Sequence, residues 1–409
     1  MSVRNIFIIP SWYPNKYGLV AGIFIREQAI AIGKLRPGWK VAISLWGQGE
    51  LTLSPRDPLR CFNSVLDRVR LRKQTRHLLS PNVAEYKKAV LHTSERLLSG
   101  NKSAILKANR RNFEAFIRDV GNVDLIHAHV SFPAGWLAMR LKEETGVPYI
   151  ITEHMSPFPF RRFLNSDGSI KAIVREPLEK ADAVVAVSPS AADQISAFGI
   201  QKPSVVPNLV DENAFKLSEK RCSDKFAFFT LANMIPQKGI PDLLHGVSLF
   251  VKSLDKSKTE ELTFRIAGEG PERRRYQALA SNLALDPWVT WLGFLPQNKM
   301  IEEFENCDCF VLPSRHESFG VVYVQAIACG KPIIATRCGG PEHIVTPENG
   351  LLVDTASPPQ LAKALHDMFT FRDNYDARLI RQQFLDRFSL PVVVNKIERV
   401  YRDVFGDGW

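Results

Sequence analysis

The stretch FVLPSRHESFGVVYVQAIACG, residues 310–330, concentrates more potential chemistry than any other part of the chain. An apolar run ends at Leu312, a polar loop holds Ser314 to Ser318, and a helical pattern opens near Phe319. The first turn of a helix leaves backbone N–H groups unpartnered at the positive end of its dipole. The amides of Phe319, Gly320 and Val321 are therefore expected to hold phosphate oxygens, with Gly320 admitting a close approach. Glu317, just before that turn, is a carboxylate able to accept hydrogen bonds from sugar hydroxyls, and Gln325 follows two turns later. By local pattern alone the same two residues also read as an ordinary helix-start acid and a surface amide. His127 and His129 alternate at the end of an apolar run, which suits a metal only if a third ligand is near, and otherwise marks polar residues at a strand end. Gly268, Gly270 and Pro271 open another helical pattern that a tight turn explains as well as a nucleotide does.

These residues need a framework, and the alternation of short apolar runs with helical patterns gives an α/β one with parallel sheets. In the first half, strands are expected at Ile6 to Ile9, Val41 to Leu45, Asp124 to Ala128, Pro148 to Thr152 and Ala183 to Val187. Helices fall at Gly22 to Leu35 and Pro133 to Glu144, and Ser188-Pro189 opens another. The stretch 51–122 breaks this rhythm. Its patterns at Val83 to Leu98 and Ala104 to Val120 read as a helical insertion without a clear strand. After residue 207 the alternation restarts with Phe226 to Leu231 and continues to Leu351 to Val353, and from Pro358 onward the pattern is all helical. The expected domains are 1–207 with its insertion, 208–386, and a final helix within 387–409. Ligands in such sheets bind at the carboxyl ends of strands, so a cleft between two similar domains is expected.

The chain has 409 residues, 45% hydrophobic and 23% charged, values that exclude disordered and fibrous classes. No apolar run approaches the roughly 20 residues of a membrane-spanning helix, and the opening MSVRNIFIIPSWYP lacks a signal-peptide core, so a cytoplasmic location is expected. Cys61, Cys222, Cys307, Cys309, Cys329 and Cys338 form no CxxC pair and read as reduced packing residues. Between Arg56 and Arg118 fifteen Lys or Arg face five acids, so this segment alone carries the whole net charge of +10. Such a patch fits either an anionic surface or a set of solvated helix faces. A basic pI alone would admit a nucleic-acid binder, but no nucleic-acid motif is present, and none is expected as a partner.

The stretch around Glu317 resembles the signature of the retaining family-four glycosyltransferases of the GT-B fold, in which a Glu, seven residues and a second Glu bind a nucleotide sugar. Glu317 matches the first, and Gln325 stands at the second, where it keeps one acceptor oxygen for the ribose but not a charge. The resemblance covers nearly the whole chain. PSWYPNKYGLVAGIFIREQAIAI is similar to the opening of polysaccharide-assembly members, with Gly22 at a strand-to-helix turn close to the diphosphate. DLIHAHVSFPAG resembles the strand end whose histidine faces the reacting centre, here His129. EHMSPF, with Glu153 and His154, is similar to a loop on the domain that faces the nucleotide-binding one, where the resemblance implies that His154 approaches the acceptor. LANMIPQKGIPDLL resembles the segment supplying an Arg and a Lys to the diphosphate; Lys238 matches the Lys, and Asn233 occupies the Arg position. FSLPVVVNKIERVYRDVF is similar to the C-terminal helix that crosses back to the first domain.

The resemblance implies two Rossmann-like doubly wound domains facing a cleft, and a metal-independent, retaining transfer from a nucleoside-diphosphate sugar to an acceptor hydroxyl in cell-surface polysaccharide assembly. It assigns catalysis to His129, Lys238 and Glu317. Donor binding falls to Gly22, Asn233, Lys238, Glu317, Ser318, Phe319, Gly320, Val321 and Gln325, with no metal. The acceptor would be a glycan or a lipid-linked sugar, and segment 56–118 would meet an anionic inner-membrane surface. Two rivals stay open: a GT-B nucleotide-sugar epimerase, and a non-catalytic nucleotide-sugar binder suggested by Gln325 and Asn233.

Overall fold

The structure, a computed structural model, describes residues 4–18, 20–48, 50–53, 63–64, 73–93, 101–218 and 225–406. The chain divides into two compact units, the first comprising 1–187, 191–206 and 394–409, the second 188–190 and 207–393. Along the first run β1 (Arg4–Pro10), α1 (Ile23–Leu35), β2 (Trp39–Leu45), β3 (Thr52–Leu53), β4 (Thr75–Ser80), β5 (Val83–Lys87), β6 (His92–Thr93), α2 (Lys102–Val120), β7 (Leu125–His129), α3 (Trp136–Thr145), β8 (Tyr149–Glu153), α4 (Ala172–Glu179), β9 (Ala183–Ala186), α5 (Pro189–Ser196) and β10 (Ser204–Val205). The second carries β11 (Phe226–Leu231), α6 (Ile240–Lys252), α7 (Lys256–Glu260), β12 (Leu262–Ala267), α8 (Arg273–Asn282), β13 (Val289–Gly293), α9 (Gln297–Asn306), β14 (Cys309–Leu312), α10 (Val321–Ala328), β15 (Ile333–Thr336), β16 (Gly350–Val353), α11 (Pro358–Thr370) and α12 (Ala377–Phe388). The division falls inside α13 (Leu390–Phe405), whose residues from Val394 on belong to the first unit.

Among the described residues the first unit's main sheet has the order β10-β9-β8-β7-β1-β2-β5-β4, and the second unit's sheet the order β13-β12-β11-β14-β15-β16. All strand pairs in them are parallel except β4 with β5. Helices cover both faces, so central strands are buried throughout: every residue of β7, β8, β14 and β15 is buried. The order reverses between β1 and β7 in the first sheet and between β11 and β14 in the second, the positions where doubly wound sheets open a crevice beyond the strand ends.

The expected helical insertion is corrected here. Ala104 to Val120 is indeed helical, within α2, but Val83 to Lys87 is a strand rather than the start of a helix. β5 pairs in parallel with β2, Val41 opposite Val83, and folds back on β4 through Pro81 and Asn82. Val83, Ala84 and Tyr86 bury their side chains, while β4 is exposed over Thr75 to Leu78. Pairing with a ready edge at β2 outweighs local helical preference. Residues 54–62, 65–72 and 94–100 of the basic segment, with Cys61, lie outside the described residues, as does Cys222. Cys307, Cys309 and Cys329 are free and buried, as packing residues should be.

Candidate functional site

In the second unit the two loops at the sheet reversal bring the expected residues together. After β11 the chain turns through Pro236–Lys238 into α6, with Gly239 between them at φ 66. A Cβ on Gly239 would lie 1.9 Å from the carbonyl oxygen of Pro313, so only glycine lets this turn pack onto the loop after β14. That packing sets Lys238 Nζ 2.6 Å from Glu317 Oε1, and the Ser314 hydroxyl donates to the same oxygen at 2.9 Å. Both partners of the ion pair are largely covered, 21% and 11% exposed at the side chain. Next to them the Arg315 guanidinium grips Asp242 through two bonds of 3.0 and 3.1 Å, and its backbone N–H donates to the carbonyl of Gln237. Glu317 also bridges to Gly339 by its backbone, with the Gly340 N–H donating to its carbonyl at 2.9 Å.

Gly320, at φ 95, precedes α10, so the Val321 end of that helix opens directly beyond Glu317. Phe319 buries its ring against Phe388, 5.8 Å between centroids, which fixes its backbone at the helix entrance. Gln325 is half-buried in α10, and its Oε1 is a buried acceptor without a hydrogen-bond partner. Asn233 does not join this group: it lies exposed on the loop after β11, and its carbonyl accepts from the Ile235 N–H.

In the first unit the reversal holds three imidazoles. His129 ends β7; its strand end is tied to the loop after β1 by the Ser11 N–H, which donates to the His129 carbonyl at 3.1 Å. That loop turns into α1 at Gly22, φ 66, where a Cβ would sit 2.3 Å from the Trp12 carbonyl oxygen. His129 stacks on His127 at 4.3 Å, and its Nδ1 lies 3.0 Å from Nε2 of His154. His127 spends both nitrogens, Nδ1 against Tyr401 OH at 2.8 Å and Nε2 against Thr152 Oγ1 at 2.7 Å. The rings therefore do not converge on one point as metal ligands would. His129 Nε2 is buried without a partner.

Burial holds all three rings neutral: it lowers the His127 and His154 pKa values to about 3 and that of His129 well below its ordinary value. Glu153 closes the cluster. Its buried carboxylate accepts from the N–H groups of Ser131, His154 and Met155 at 3.0, 2.7 and 2.8 Å, pinning the loops after β7 and β8 together. Burial pushes its pKa up, and those hydrogen bonds act against the rise. Between His129 and Ser131 sits Val130 at φ 78, a strained conformation for a β-branched residue, held by its N–H on the Thr152 carbonyl at 2.8 Å.

Comparison with known proteins decides what this pair of arrangements belongs to. Residues 211–383 match the family described as Glycosyl transferases group 1, and residues 72–214 match Glycosyltransferase Family 4. The chain is a family-four glycosyltransferase. N-acetyl-alpha-D-glucosaminyl L-malate synthase of Bacillus anthracis is 28% identical over 305 residues, which cover 70% of this chain and 76% of that one. D-inositol 3-phosphate glycosyltransferase of Corynebacterium jeikeium is 29% identical over 279 residues, 61% of this chain and 65% of that one. Among solved structures, sucrose-phosphate synthase from Thermosynechococcus elongatus superposes with a TM-score of 0.74 at 18% identity, covering 98% and 99% of the two chains. HepE of Anabaena in complex with UDP-glucose gives 0.67 at 18%, covering 97% and 99%. These likenesses establish the GT-B fold, two sheets of parallel strands covered by helices.

In this glycosyltransferase, sequence reasoning named the residues that meet at each sheet reversal but missed several that hold them there. Ser314 stands in the same short loop as Glu317 and was within reach of the motif. Asp242 carried a weaker signal, an acid in the first turn of α6. Thr152 and Tyr401 had none, since nothing near either suggests a histidine 25 or 274 residues away.

Proposed function

We propose that this glycosyltransferase uses a nucleoside-diphosphate sugar and transfers its sugar, with retention and without a metal, to the hydroxyl of a glycan or lipid-linked acceptor in cell-surface polysaccharide assembly. The observation that carries this reading is the Lys238–Glu317–Ser314 cluster at the second unit's sheet reversal, beside the start of α10 and the unpartnered Gln325 Oε1. Lys238 and the first amides of α10 supply positive potential for a departing diphosphate, the service a metal gives in other transferases. Glu317 orients the donor sugar through its second carboxylate oxygen, and Gln325 Oε1 accepts from a ribose hydroxyl, which is what a buried orphan acceptor calls for. His129 is assigned to the sugar side of the reaction on the strength of the family resemblance of its strand end. Retention follows when the acceptor attacks on the face the diphosphate leaves, its proton passing to a phosphate oxygen. The complex of HepE with UDP-glucose supports a donor of this class.

Melting the protein against UDP-, GDP-, ADP- and dTDP-sugars tests this without knowledge of the acceptor. A donor at about 100 times its dissociation constant adds about 2.7 kcal/mol of stability, a rise of a few degrees in Tm, expected for one nucleotide class. No rise with any of the four would overturn the donor reading and leave a protein without nucleotide-sugar function.

The basic segment gives this glycosyltransferase a place to work: a cytoplasmic enzyme resting on the anionic inner face of a membrane. No helix of the described residues is long and apolar enough to cross one. Lys107, Arg111 and Arg118 lie exposed along α2 and support the contact. Flotation with anionic vesicles should carry the protein upward at low salt and neutral vesicles should not; equal behaviour in both would remove the membrane from this reading.

A further inference from the structure

We propose that His154 is the positioning residue for His129, and that the two rings form a neutral dyad in which His129 Nε2 is free to act as donor or as acceptor toward a sugar hydroxyl. The target hydroxyl rests on the function proposed above; the dyad itself rests on the first unit alone. The planes of the two rings lie 19° apart with centroids at 5.3 Å, so the 3.0 Å contact between His129 Nδ1 and His154 Nε2 runs edge to edge, as a hydrogen bond between imidazoles requires.

Between neutral rings one of those nitrogens carries the proton and the other accepts it. When His129 Nδ1 carries it, His129 Nε2 is bare and accepts, and His154 holds its own proton on Nδ1. When His154 Nε2 carries it, His129 Nε2 bears a hydrogen and donates, and His154 Nδ1 is bare. The first state becomes the second when a proton enters at His129 Nε2, one crosses the 3.0 Å bond, and one leaves at His154 Nδ1; the pair keeps two protons and no charge. His154 keeps 7% of its surface exposed, an outlet for the released proton, while His129 is fully enclosed at rest, so uptake at its Nε2 takes place from water when the site opens locally, the same opening that admits a sugar hydroxyl.

The neighbours leave the choice open. A carboxylate in the place of His154 would fix the proton on His129 Nδ1 and make Nε2 an acceptor only. The nearby carboxylate, Glu153, is instead committed to three backbone N–H groups. His127 stacks on His129 with both its nitrogens engaged elsewhere, and Phe24 packs on His154 at 4.6 Å without a polar atom. His129 Nε2 is buried and unpartnered, as is the Ser131 hydroxyl two residues on. Sugar hydroxyls donate and accept, so a nitrogen that can do either matches them in both senses.

Nitrogen-15 NMR of the histidine rings in the full chain at neutral pH reads this directly. The two His129 nitrogens should show values averaged between protonated and bare, and His154→Phe should collapse them to the single Nε2–H tautomer that an isolated imidazole favours. His154→Gln, whose amide can donate or accept, should keep the averaging. Where donor turnover is measurable, His154→Phe should lower kcat about tenfold with the donor KM within about twofold, the pattern of a positioning loss rather than a binding one. A single pure tautomer in the parent, unchanged in His154→Phe, would overturn the dyad; should His154→Phe fail to fold, the same pure tautomer in the parent and in His154→Gln would overturn it equally. Absence of any nucleotide-sugar melting shift removes the hydroxyl target and leaves the NMR result standing, so the two failures are told apart.

Discussion

Lowering the pH from 7 to 5 is expected to cost this glycosyltransferase about 5 kcal/mol of stability. His127, His129 and His154 are buried neutral, with pKa values depressed in the folded chain, whereas in the unfolded chain each takes up a proton below its ordinary value of 6.5. The unfolded state then binds more protons than the native one, so stability falls as pH falls, by up to about 1.4 kcal/mol per histidine per pH unit. The loss begins near pH 6.5 and continues toward the folded values, about 3 for His127 and His154. Glu153 works the other way, because its raised pKa lets the native state take up a proton first, but it offsets one histidine at most. Against a typical total of about 5–15 kcal/mol, such a loss brings the first unit close to unfolding at pH 5. Urea melts at pH 7 and pH 5 measure it, and equal midpoints would mean that the three rings are solvated rather than enclosed.

Lys238→Ala should lower transfer about 10²–10³-fold and abolish the melting shift caused by donor, the scale seen when one preorganised charge is removed from a developing anion. The variant also strands Glu317, a carboxylate only 11% exposed at its side chain, with the Ser314 hydroxyl as its remaining side-chain partner. Leaving a largely covered charge unpaired should cost about 2–3 kcal/mol of stability, less than for a fully buried pair. The stability effect is isolated in the double variant Lys238→Ala/Glu317→Gln, which removes the stranded charge, while Glu317→Gln alone gives the share of donor binding that the carboxylate itself carries. The double variant's Tm should return most of the way to the parent's while donor binding stays lost. If donor binding also returned, Lys238 would be a structural partner of Glu317 and the cation for the diphosphate would have to be sought elsewhere, with Arg315 the nearest alternative.

Much of the framework was legible because strands buried on both faces leave continuous apolar runs. Phe226 to Leu231 was found at its observed limits for that reason, and the run expected to end at Leu312 does so in β14. The β4–β5 hairpin was not, since an edge strand carrying exposed Arg76, His77 and Leu78 shows neither a continuous run nor a clean alternation. At the site, the sequence marked Lys238 and Glu317 separately, each as a group for the donor. That they bind each other, 79 residues apart, depends on the fit of Gly239 against Pro313 and could not be read from either motif. The strain at Val130 has no sequence signature at all, because nothing about a valine in HAHVSF announces a positive φ.

The course of α13 also sets a timetable for synthesis. Residues 394–409 count with the first unit, where Tyr401 bonds His127 and Glu398 is bonded by Arg36 Nε at 2.8 Å, yet they are translated after the whole of 207–393. At about 5–20 residues per second, a ribosome adds that intervening stretch in roughly 10–40 s. Over that interval the N-terminal sheet stands without its last helix, with Arg36 lacking Glu398 and His127 lacking Tyr401. The unit that begins synthesis first is therefore completed last, and a nascent chain of this enzyme has reason to meet a chaperone before it meets a substrate.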